Sequence, residues 1–351
     1  MRKKYGSAGA VVLLLVLLAE LTLSVRQQSL SWDEGDHIFA GYMSWKKADF
    51  GINPEHPPLV KALAAIPLLA MHLNVPPPKE FGSFKDEAYF NGRDLIFGNG
   101  GEPEADRIIF RARMAAASLT LLLGLFVFLA AREMFGDIAA LLALTLMVFE
   151  PNIIAHGAYV TTDMGISCFM FASIYALYRY VKAPSAGRLA ILGLVAGLAL
   201  ASKHSGVLLL PMVIALILAE IAWPQPGTAA KRKTIALHLT GAFLTASITA
   251  ILVLWAFYGF RYAARPGGVP LNPSLAEYAQ GLTGIEPRIY LALAHWHVLP
   301  ESYLYGLVDV RLVSSFSTYI FGKVYEHGVW YYFPAAFIIK STAAFMGLLP
   351  C

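Results

Sequence analysis

The sequence contains eight long apolar runs, most of them long enough for a helix to cross a lipid bilayer. A bilayer core about 30 Å thick requires about 20 apolar residues in a helix. Of the 351 residues, 57% are hydrophobic and only 14% are charged, which is far from the composition of soluble proteins. The runs are residues 9–25, 114–131, 138–154, 164–181, 189–201, 207–223, 235–257 and 331–349. The sequence therefore predicts an all-α polytopic membrane protein.

The first apolar run has the charge pattern of a signal peptide but lacks a cleavage site. Arg2, Lys3 and Lys4 precede it, as in a secretory signal. The residues that follow its apolar centre, Glu-Leu-Thr-Leu-Ser-Val-Arg, offer no pair of small residues for cleavage. We therefore interpret this run as a retained anchor helix.

Clusters of Lys and Arg predict the orientation of the chain. If the helices alternate in direction, the clusters fall on one face, which the positive-inside rule assigns to the cytoplasm. Two long segments, residues 26–113 and 259–330, then lie on the extracytoplasmic face of a single transmembrane domain spanning residues 1–351. The short clusters explain the net charge of +4 without nucleic-acid binding. They are Arg2 to Lys4, Arg132, the group Arg179, Lys182 and Arg188, and residues 231–233.

Three polar motifs are predicted to meet at this extracytoplasmic face. "SWDEGDHI" follows the first run, "FEPNIIAHGAYVTTDMG" joins the third and fourth runs, and "ASKHSG" joins the fifth and sixth. Acidic and basic side chains gathered where lipid meets solvent suit an anionic, lipid-borne substrate. The acids are Asp33, Glu34 and Asp163, and the basic residues are His156, Lys203 and His204, with His56 from a fourth segment on the same face.

The first long segment contains an apolar stretch too short to span a bilayer. "NPEHPPLVKALAAIPLLAMHL" begins with Pro57 and Pro58, which suit a helix start, and is interrupted by Pro67. We predict an amphipathic helix at the membrane interface, with Glu55 and His56 at its N-terminal end. The following stretch, residues 75–107, has the composition of a surface loop.

The acids of the first motif allow a structural and a catalytic interpretation. Asp33 and Glu34 could cap the helix that follows them. A carboxylate that is partly desolvated beside other acids could instead serve as a general base. Asp36 and His37 could complete a metal site, although the run has no standard ligand spacing, so a divalent metal ion is only a candidate cofactor. Cys168 and Cys351 provide no disulfide framework.

Other polar residues allow the same two interpretations. Asp163 could cap the fourth spanning helix, and His156 could satisfy loop backbone groups. Lys203 is the basic residue of the short loops on a face that usually lacks them, where snorkelling is the alternative to substrate binding. Lys340 lies within the last apolar run, where a charge is costly unless it meets a counter-charge or a lipid headgroup.

The motifs "WDEGDHIFAGYMSW", "NPEHPPLVKALAAIPL", "AHGAYVTTDMG", "SKHSGVLLLP" and "GVWYYFPAAFIIKS" together resemble a known family. They are similar to polyprenyl-phosphate-dependent glycosyltransferases of the protein O-mannosyltransferase and aminoarabinose transferase type. The resemblance implies a GT-C fold, with a helix bundle and interfacial helices in long extracytoplasmic loops. It also implies transfer of a sugar from a polyprenyl-phosphate carrier to a hydroxyl acceptor, with inversion at the anomeric carbon.

The resemblance also implies roles for individual residues. Asp33 is similar to the family's general base, with Glu34 beside it. Glu55 is similar to the acid of the family's Pro-Glu-x-Pro-Pro motif. The next position is commonly Lys in the aminoarabinose branch, whereas this chain has His56. This difference argues against an aminoarabinose-type acceptor. Asp163 resembles the acid that begins the fourth helix, and Lys203 a base facing the donor phosphate.

Two rival interpretations of the polar residues stay open. A transporter or flippase of a lipid-linked solute would place charges near mid-membrane, as Lys340 and Glu20 suggest, and a non-catalytic scaffold would use the acids only as caps. The expected partners are a polyprenyl-phosphate-linked sugar, membrane lipid and an acceptor, without nucleic acid. We expect a bacterial inner membrane protein, because the sequence shows no sorting signal and has a compact N-terminus. The chain ends in or just after an apolar run without a basic flank, as a fragment of a longer enzyme would.

Overall fold

The computed structural model describes residues 2–75, 81–224, 232–313 and 317–348, and confirms the predicted all-α polytopic fold. One small antiparallel hairpin joins β1 (Thr318–Ile320) to β2 (Lys323–Tyr325). The helices are α1 (Arg2–Val25), α2 (Glu34–Lys47), α3 (Pro58–Ala65), α4 (Phe84–Phe97), α5 (Glu102–Phe135), α6 (Asp137–Val148), α7 (Pro151–His156), α8 (Asp163–Lys182), α9 (Ala186–Ser202), α10 (Leu209–Ala222), α11 (Arg232–Phe257), α12 (Leu275–Ala279), α13 (Glu286–His295), α14 (Glu301–Leu312), α15 (Tyr332–Lys340) and α16 (Ala343–Leu348).

Within the described residues, five helical segments are long and apolar enough to cross a membrane. They are Gly6–Val25, Glu102–Phe135, Asp163–Lys182, His204–Ala222 and Arg232–Phe257. Helices α6 and α9 are shorter. Helix α6 leads from α5 back toward α8, and α9 leads from α8 back toward α10, so that successive helices run in opposite directions. We call the membrane face where α1 ends and α8 begins the site face, and the other face, where α5 and α8 end, the opposite face. The basic clusters described above lie toward the opposite face; Lys231 lies outside the described residues.

Two runs predicted to be continuous helices are interrupted. Residues 138–154 divide between α6 and α7 at Glu150, because Pro151 cannot continue the hydrogen bonding of α6 and instead begins α7. Residues 331–348 form α15 and α16, of nine and six residues, with an extended Ser341 between them. Each is too short to cross a bilayer, so the prediction of one spanning helix here is wrong. Residue 349 lies outside the described residues.

The prediction of a loop for residues 75–107 is also wrong, because most of the described residues in this range belong to α4 and to the start of α5. Helix α4 begins where the Ser83 side chain accepts a hydrogen bond from Asp86 N at 3.2 Å. Its apolar residues pack in the same core as α2 and the first turns of α5. Gly92 allows this approach, since a Cβ atom there would lie 2.6 Å from Gly35 O on α2. Residues 76–80 lie outside the described residues.

Helix α3 packs against α2 and is buried along most of its length, so it is more enclosed than an exposed interfacial helix. Gly41 on α2 allows the approach, because any side chain there would collide with the backbone of Lys61. The α-helix ends at Ala65, and Pro67 lies in a 3-10 turn, Ile66–Ala70. The α3 backbone is thereby fixed directly behind the first acidic motif.

Helices α9 and α11 approach closely in the spanning region. Gly193 and Gly197 lie one turn apart on α9. Cβ atoms at these positions would lie 2.5 Å from the Cβ atoms of Thr249 and Val253, respectively. Small residues spaced by four allow the backbones of membrane helices to pack closely, so this pair sets the distance between α9 and α11.

The two long segments contact each other above the bundle. Arg265 of the second segment forms ion pairs with Asp49 and Glu87 of the first. Phe50 N donates to Ala264 O at 2.9 Å, and Ser302 Oγ donates to Phe50 O at 2.7 Å. Both segments therefore form one layer that covers the site face.

Candidate active site

Glu34 and Arg113 form a buried ion pair at the centre of the site face, and both side chains are 0% exposed. Arg113 Nη2 donates to Glu34 Oε2 at 2.6 Å, and Arg113 Nε donates to Glu34 Oε1 at 2.9 Å. The same carboxylate accepts from Val160 N at 3.0 Å and from Ser31 N at 2.9 Å. Burial alone would raise the pKa of Glu34, but the hydrogen bonds from Arg113 outweigh it and the pKa is lowered.

Arg113 also fixes the end of α1. Its guanidinium donates to the carbonyl oxygens of Gln28 and Ser29 at 2.9 and 2.7 Å. Its charge lies 5.0 Å from the centre of the Tyr159 ring. One side chain therefore connects the end of α1, the start of α2 and the segment before α8, although the sequence analysis did not identify it.

Asp33 lies next to this ion pair and is exposed. It occupies the N-cap position of α2, but its side chain makes no capping hydrogen bond. Partial desolvation, followed by the carboxylate of Asp163, raises the pKa of Asp33, while Lys203 and Lys85 oppose the increase. An accessible carboxylate with a raised pKa has the properties of a general base.

Asp163 and Lys203 form an ion pair beside Asp33. Lys203 Nζ lies 2.6 Å from Asp163 Oδ1. Neither residue is fully buried, so the lysine can reach a ligand. Asp163 is the first residue of α8, and its side chain accepts from Lys203. The structure therefore brings together the three motifs that contribute Asp33, Asp163 and Lys203.

Glu55 lies in a second charged chain that reaches the second long segment. Lys85 Nζ lies 3.1 Å from Glu55 Oε2 and 3.4 Å from Asp309 Oδ1. Asn53 Nδ2 donates to Glu55 Oε1 at 2.9 Å. Lys85 is partly exposed and lies within electrostatic reach of Asp33. Lys85 is a second cation near Asp33, and it was not predicted from the sequence because its segment was interpreted as a loop.

Lys61 holds the loop that carries Glu55 and His56. It is 4% exposed and donates to Asn53 O, Asn53 Oδ1 and His56 O at 2.6, 3.0 and 2.6 Å. Burial lowers the pKa of Lys61, while Glu55 and Asp36 oppose that decrease. Three acceptor oxygens match the three N–H bonds of an ammonium group, so this lysine positions the loop.

His37 and His56 pack against each other below the charged surface. Their ring centres are 4.9 Å apart and their planes are nearly perpendicular. His37 Nδ1 lies 2.5 Å from Val160 O, the geometry of a donated hydrogen bond. Burial, and then the neighbouring His37 and Lys61, lower the pKa of His56 well below its usual range. His56 is therefore neutral at neutral pH and can donate a hydrogen bond without contributing charge.

Asp36 is a buried acid one turn after Asp33, at 8% exposure. Its Oδ1 atom has no hydrogen-bond partner. Burial, together with the carboxylates of Glu55 and Asp33, raises the pKa of Asp36 to about 7. Within the described residues, no group of three or more His, Cys, Asp or Glu side chains is arranged to hold a metal ion.

His156 and Lys340 lie at the edge of this arrangement. His156 is exposed at the end of α7, and its ring centre lies 6.2 Å from that of Tyr159. The backbone oxygen of Lys340 accepts from Asn152 Nδ2 at 2.8 Å, and its side chain is exposed. Lys340 therefore ends a short helix beside α7, outside the cluster of Asp33, Asp163 and Lys203.

An apolar groove reaches the site face between α10 and the pair α9–α11. It encloses about 350 Å³. Its walls include Leu210, Val213, Ala246 and Ala250. Gly206, three residues after Lys203, and Tyr303 also line it. Leu209 is the one buried residue of α10, so this helix packs loosely against the bundle and leaves the groove accessible to lipid.

The helical bundle and its capping layer are those of an all-α polytopic membrane protein and are consistent with a GT-C architecture. Residues 106–255 match the model of a family described as dolichyl-phosphate-mannose-protein mannosyltransferase. This match supports a membrane glycosyltransferase with a lipid-linked sugar donor, in agreement with the resemblance found in the sequence. The chain has no match among curated proteins.

The matched region includes some of the candidate site residues. Asp163 and Lys203 lie within residues 106–255, as does His156. Asp33 and Glu55 precede this region. The family match therefore carries no information about Asp33 or Glu55.

Proposed function

We propose that the protein transfers a sugar from a polyprenyl-phosphate carrier to a hydroxyl group at the extracytoplasmic face of a bacterial inner membrane, with inversion. The observation that carries this proposal is the position of Asp33, an exposed carboxylate beside the Asp163–Lys203 ion pair. A base and a cation within electrostatic reach of one another are the groups that glycosyl transfer from a phosphate requires.

In the proposed reaction, Asp33 accepts the proton of the acceptor hydroxyl. The acceptor oxygen forms a bond to C1 of the sugar while the bond from C1 to the phosphate oxygen breaks. The electron pair of that bond leaves with the lipid phosphate, and Lys203 and Lys85 stabilise its charge. His56 does not contribute to this charge stabilisation, because burial lowers its pKa and keeps the ring neutral.

Glu34 takes a positioning role in this mechanism. Its carboxylate is enclosed by Arg113 and two backbone N–H groups, so it does not face the acceptor. It holds the backbone on both sides of Asp33 relative to the start of α8. Glu55 orients Lys85 in a similar way through their ion pair.

The apolar groove supports a lipid-linked donor. A prenyl chain in this groove would remain at the level of the spanning helices while its phosphate reaches Lys203. The preference for a hexose or pentose and the identity of the acceptor, whether protein, lipid or glycan, are open to assay. A divalent metal ion remains a candidate cofactor, to be tested by chelation.

The test compares Asp33→Asn with wild type in membranes supplied with radiolabelled polyprenyl-phosphate mannose. We expect transfer of label to endogenous acceptors to fall by roughly 10²- to 10⁴-fold, the usual contribution of one general base. Asp106→Asn, an exposed acid in the first turns of α5, is the matched control and should leave transfer unchanged. Undiminished transfer by Asp33→Asn would exclude Asp33 as the base, and solute uptake without glycosyl transfer would favour a transporter.

A further inference from the structure

A cleft of about 580 Å³ lies between α5, α8 and α9 near the opposite face, away from Asp33. Its wall along α8 runs from Ala172 to Arg179, a separation of seven residues or about 10 Å of helix. The cleft therefore extends from the membrane surface into the hydrocarbon region. The other apolar lining residues are Phe126, Leu129, Ala176, Ile191 and Val195.

The mouth of the cleft carries charged side chains. Arg179 Nε and Lys182 Nζ share one carboxylate, Glu133, at 3.3 and 3.9 Å. Tyr175 OH also donates to Glu133, at 2.7 Å. Arg132 Nε lies 2.6 Å from Asp137 Oδ1 at the other edge.

Positive charge exceeds negative charge at this mouth. The nearby Arg188 contacts the carbonyl oxygens of Arg179 and Ala183 at 2.7 and 2.9 Å. Four cations, Arg132, Arg179, Lys182 and Arg188, therefore accompany two carboxylates, Glu133 and Asp137, among these contacts. An excess of positive charge at the level where the helices end attracts anionic headgroups.

We propose that this cleft binds an anionic phospholipid. The phosphate lies beside Arg179 and Arg132, and an acyl chain lies between Leu129 and Ile191. A zwitterionic lipid would leave the excess charge uncompensated, and a soluble anion would leave the apolar walls empty, so both halves of the cleft specify one kind of ligand. The proposal is independent of the glycosyl transfer proposed above.

The test measures lipid binding to the purified protein in detergent by native mass spectrometry, with phosphatidylglycerol and phosphatidylcholine as probes. We expect phosphatidylglycerol to bind more tightly. Arg179→Gln should weaken its binding about five-fold, the effect of one cation near a membrane surface. Glu133→Gln should strengthen binding, because it removes the anion that competes with the lipid phosphate for Arg179 and Lys182.

Arg107→Gln is the matched control, since Arg107 is an exposed arginine with one carboxylate partner, Glu104, at 3.2 Å near the other end of α5. It should leave the affinity unchanged. Equal binding of both lipids would overturn the proposal, as would wild-type affinity in Arg179→Gln. A misfolded variant cannot bind more tightly, so the expected gain in Glu133→Gln separates lost binding from lost structure, and failure to gain would also count against the site.

Discussion

Asp36 is the residue whose protonation has the clearest consequence for stability. Its carboxyl is buried, and its pKa is raised to about 7 from an ordinary value of 3.8. Between these values the folded protein holds a proton that the unfolded chain has released. The free energy of unfolding therefore falls as the pH rises from about 4 to about 7.

Asp36→Asn should remove this dependence, because the amide resembles the protonated carboxyl in shape and carries no charge. We expect a higher Tm than wild type at pH 8, with the two values converging near pH 4, as measured by thermal unfolding in detergent. Asp106→Asn changes an exposed acid and should shift neither value. A wild-type Tm profile in Asp36→Asn would mean that Asp36 is ionised in the folded protein without cost.

Arg113 and Glu34 depend on each other, because each would be a buried unpaired charge alone. Arg113→Met should lower the free energy of unfolding by about 3–5 kcal/mol, the cost of breaking a buried pair. The double variant Glu34→Leu/Arg113→Met should recover much of this stability but not transfer activity, since Val160 N and Ser31 N lose their acceptor. Thermal unfolding and the transfer assay check both statements, and Arg107→Gln provides the surface control.

At the level of the elements, the contact between α9 and α11 depends on Gly197. Gly197→Leu should force these helices apart and lower the Tm by several degrees, because the added side chain meets Ala250 O and Val253. Gly187→Ala is the control on the same helix, since a Cβ atom there meets nothing within 4 Å. An unchanged Tm for Gly197→Leu would show that the two helices can separate freely.

The elements that the sequence predicted are those whose own composition determines them. Among the described residues, five of the long apolar runs form helices long enough to span a membrane, and the alternation of the helices brings the motifs of Asp33, Asp163 and Lys203 to one face. Helix α4 was not predicted, because its sequence is not apolar on average and its apolar residues show no strong helical periodicity. Its burial depends on α2 and α5. The partners of Arg113 and Lys61 were not predicted for the same reason. Whether a charged side chain is buried depends on groups that only the folded chain brings near it. Glu34 and Arg113, for example, are 79 residues apart in the sequence.

At the scale of the whole molecule, the proposed chemistry requires that the two long segments and the motif before α8 share one side of the membrane. Single cysteines in a background lacking Cys168 and Cys351 test this requirement. Lys47 and Ala155 are exposed toward the site face, and Phe135 and Gly187 are exposed toward the opposite face. We expect a membrane-impermeant maleimide applied to intact cells to label cysteines at the first two positions, and the other two only after permeabilisation.

The same labelling separates the fold from its orientation. If positions 135 and 187 react from outside while 47 and 155 are protected, the bundle is correct and its orientation is the reverse of the proposal. The lipid carrier would then present its sugar to cytoplasmic acceptors. If positions 47 and 155 react from different sides, Asp33 and Asp163 cannot meet, and the ion pair of Asp163 with Lys203 could not assist Asp33 as a base. Whether these motifs lie on the same side of the membrane therefore tests the proposed mechanism without an activity assay.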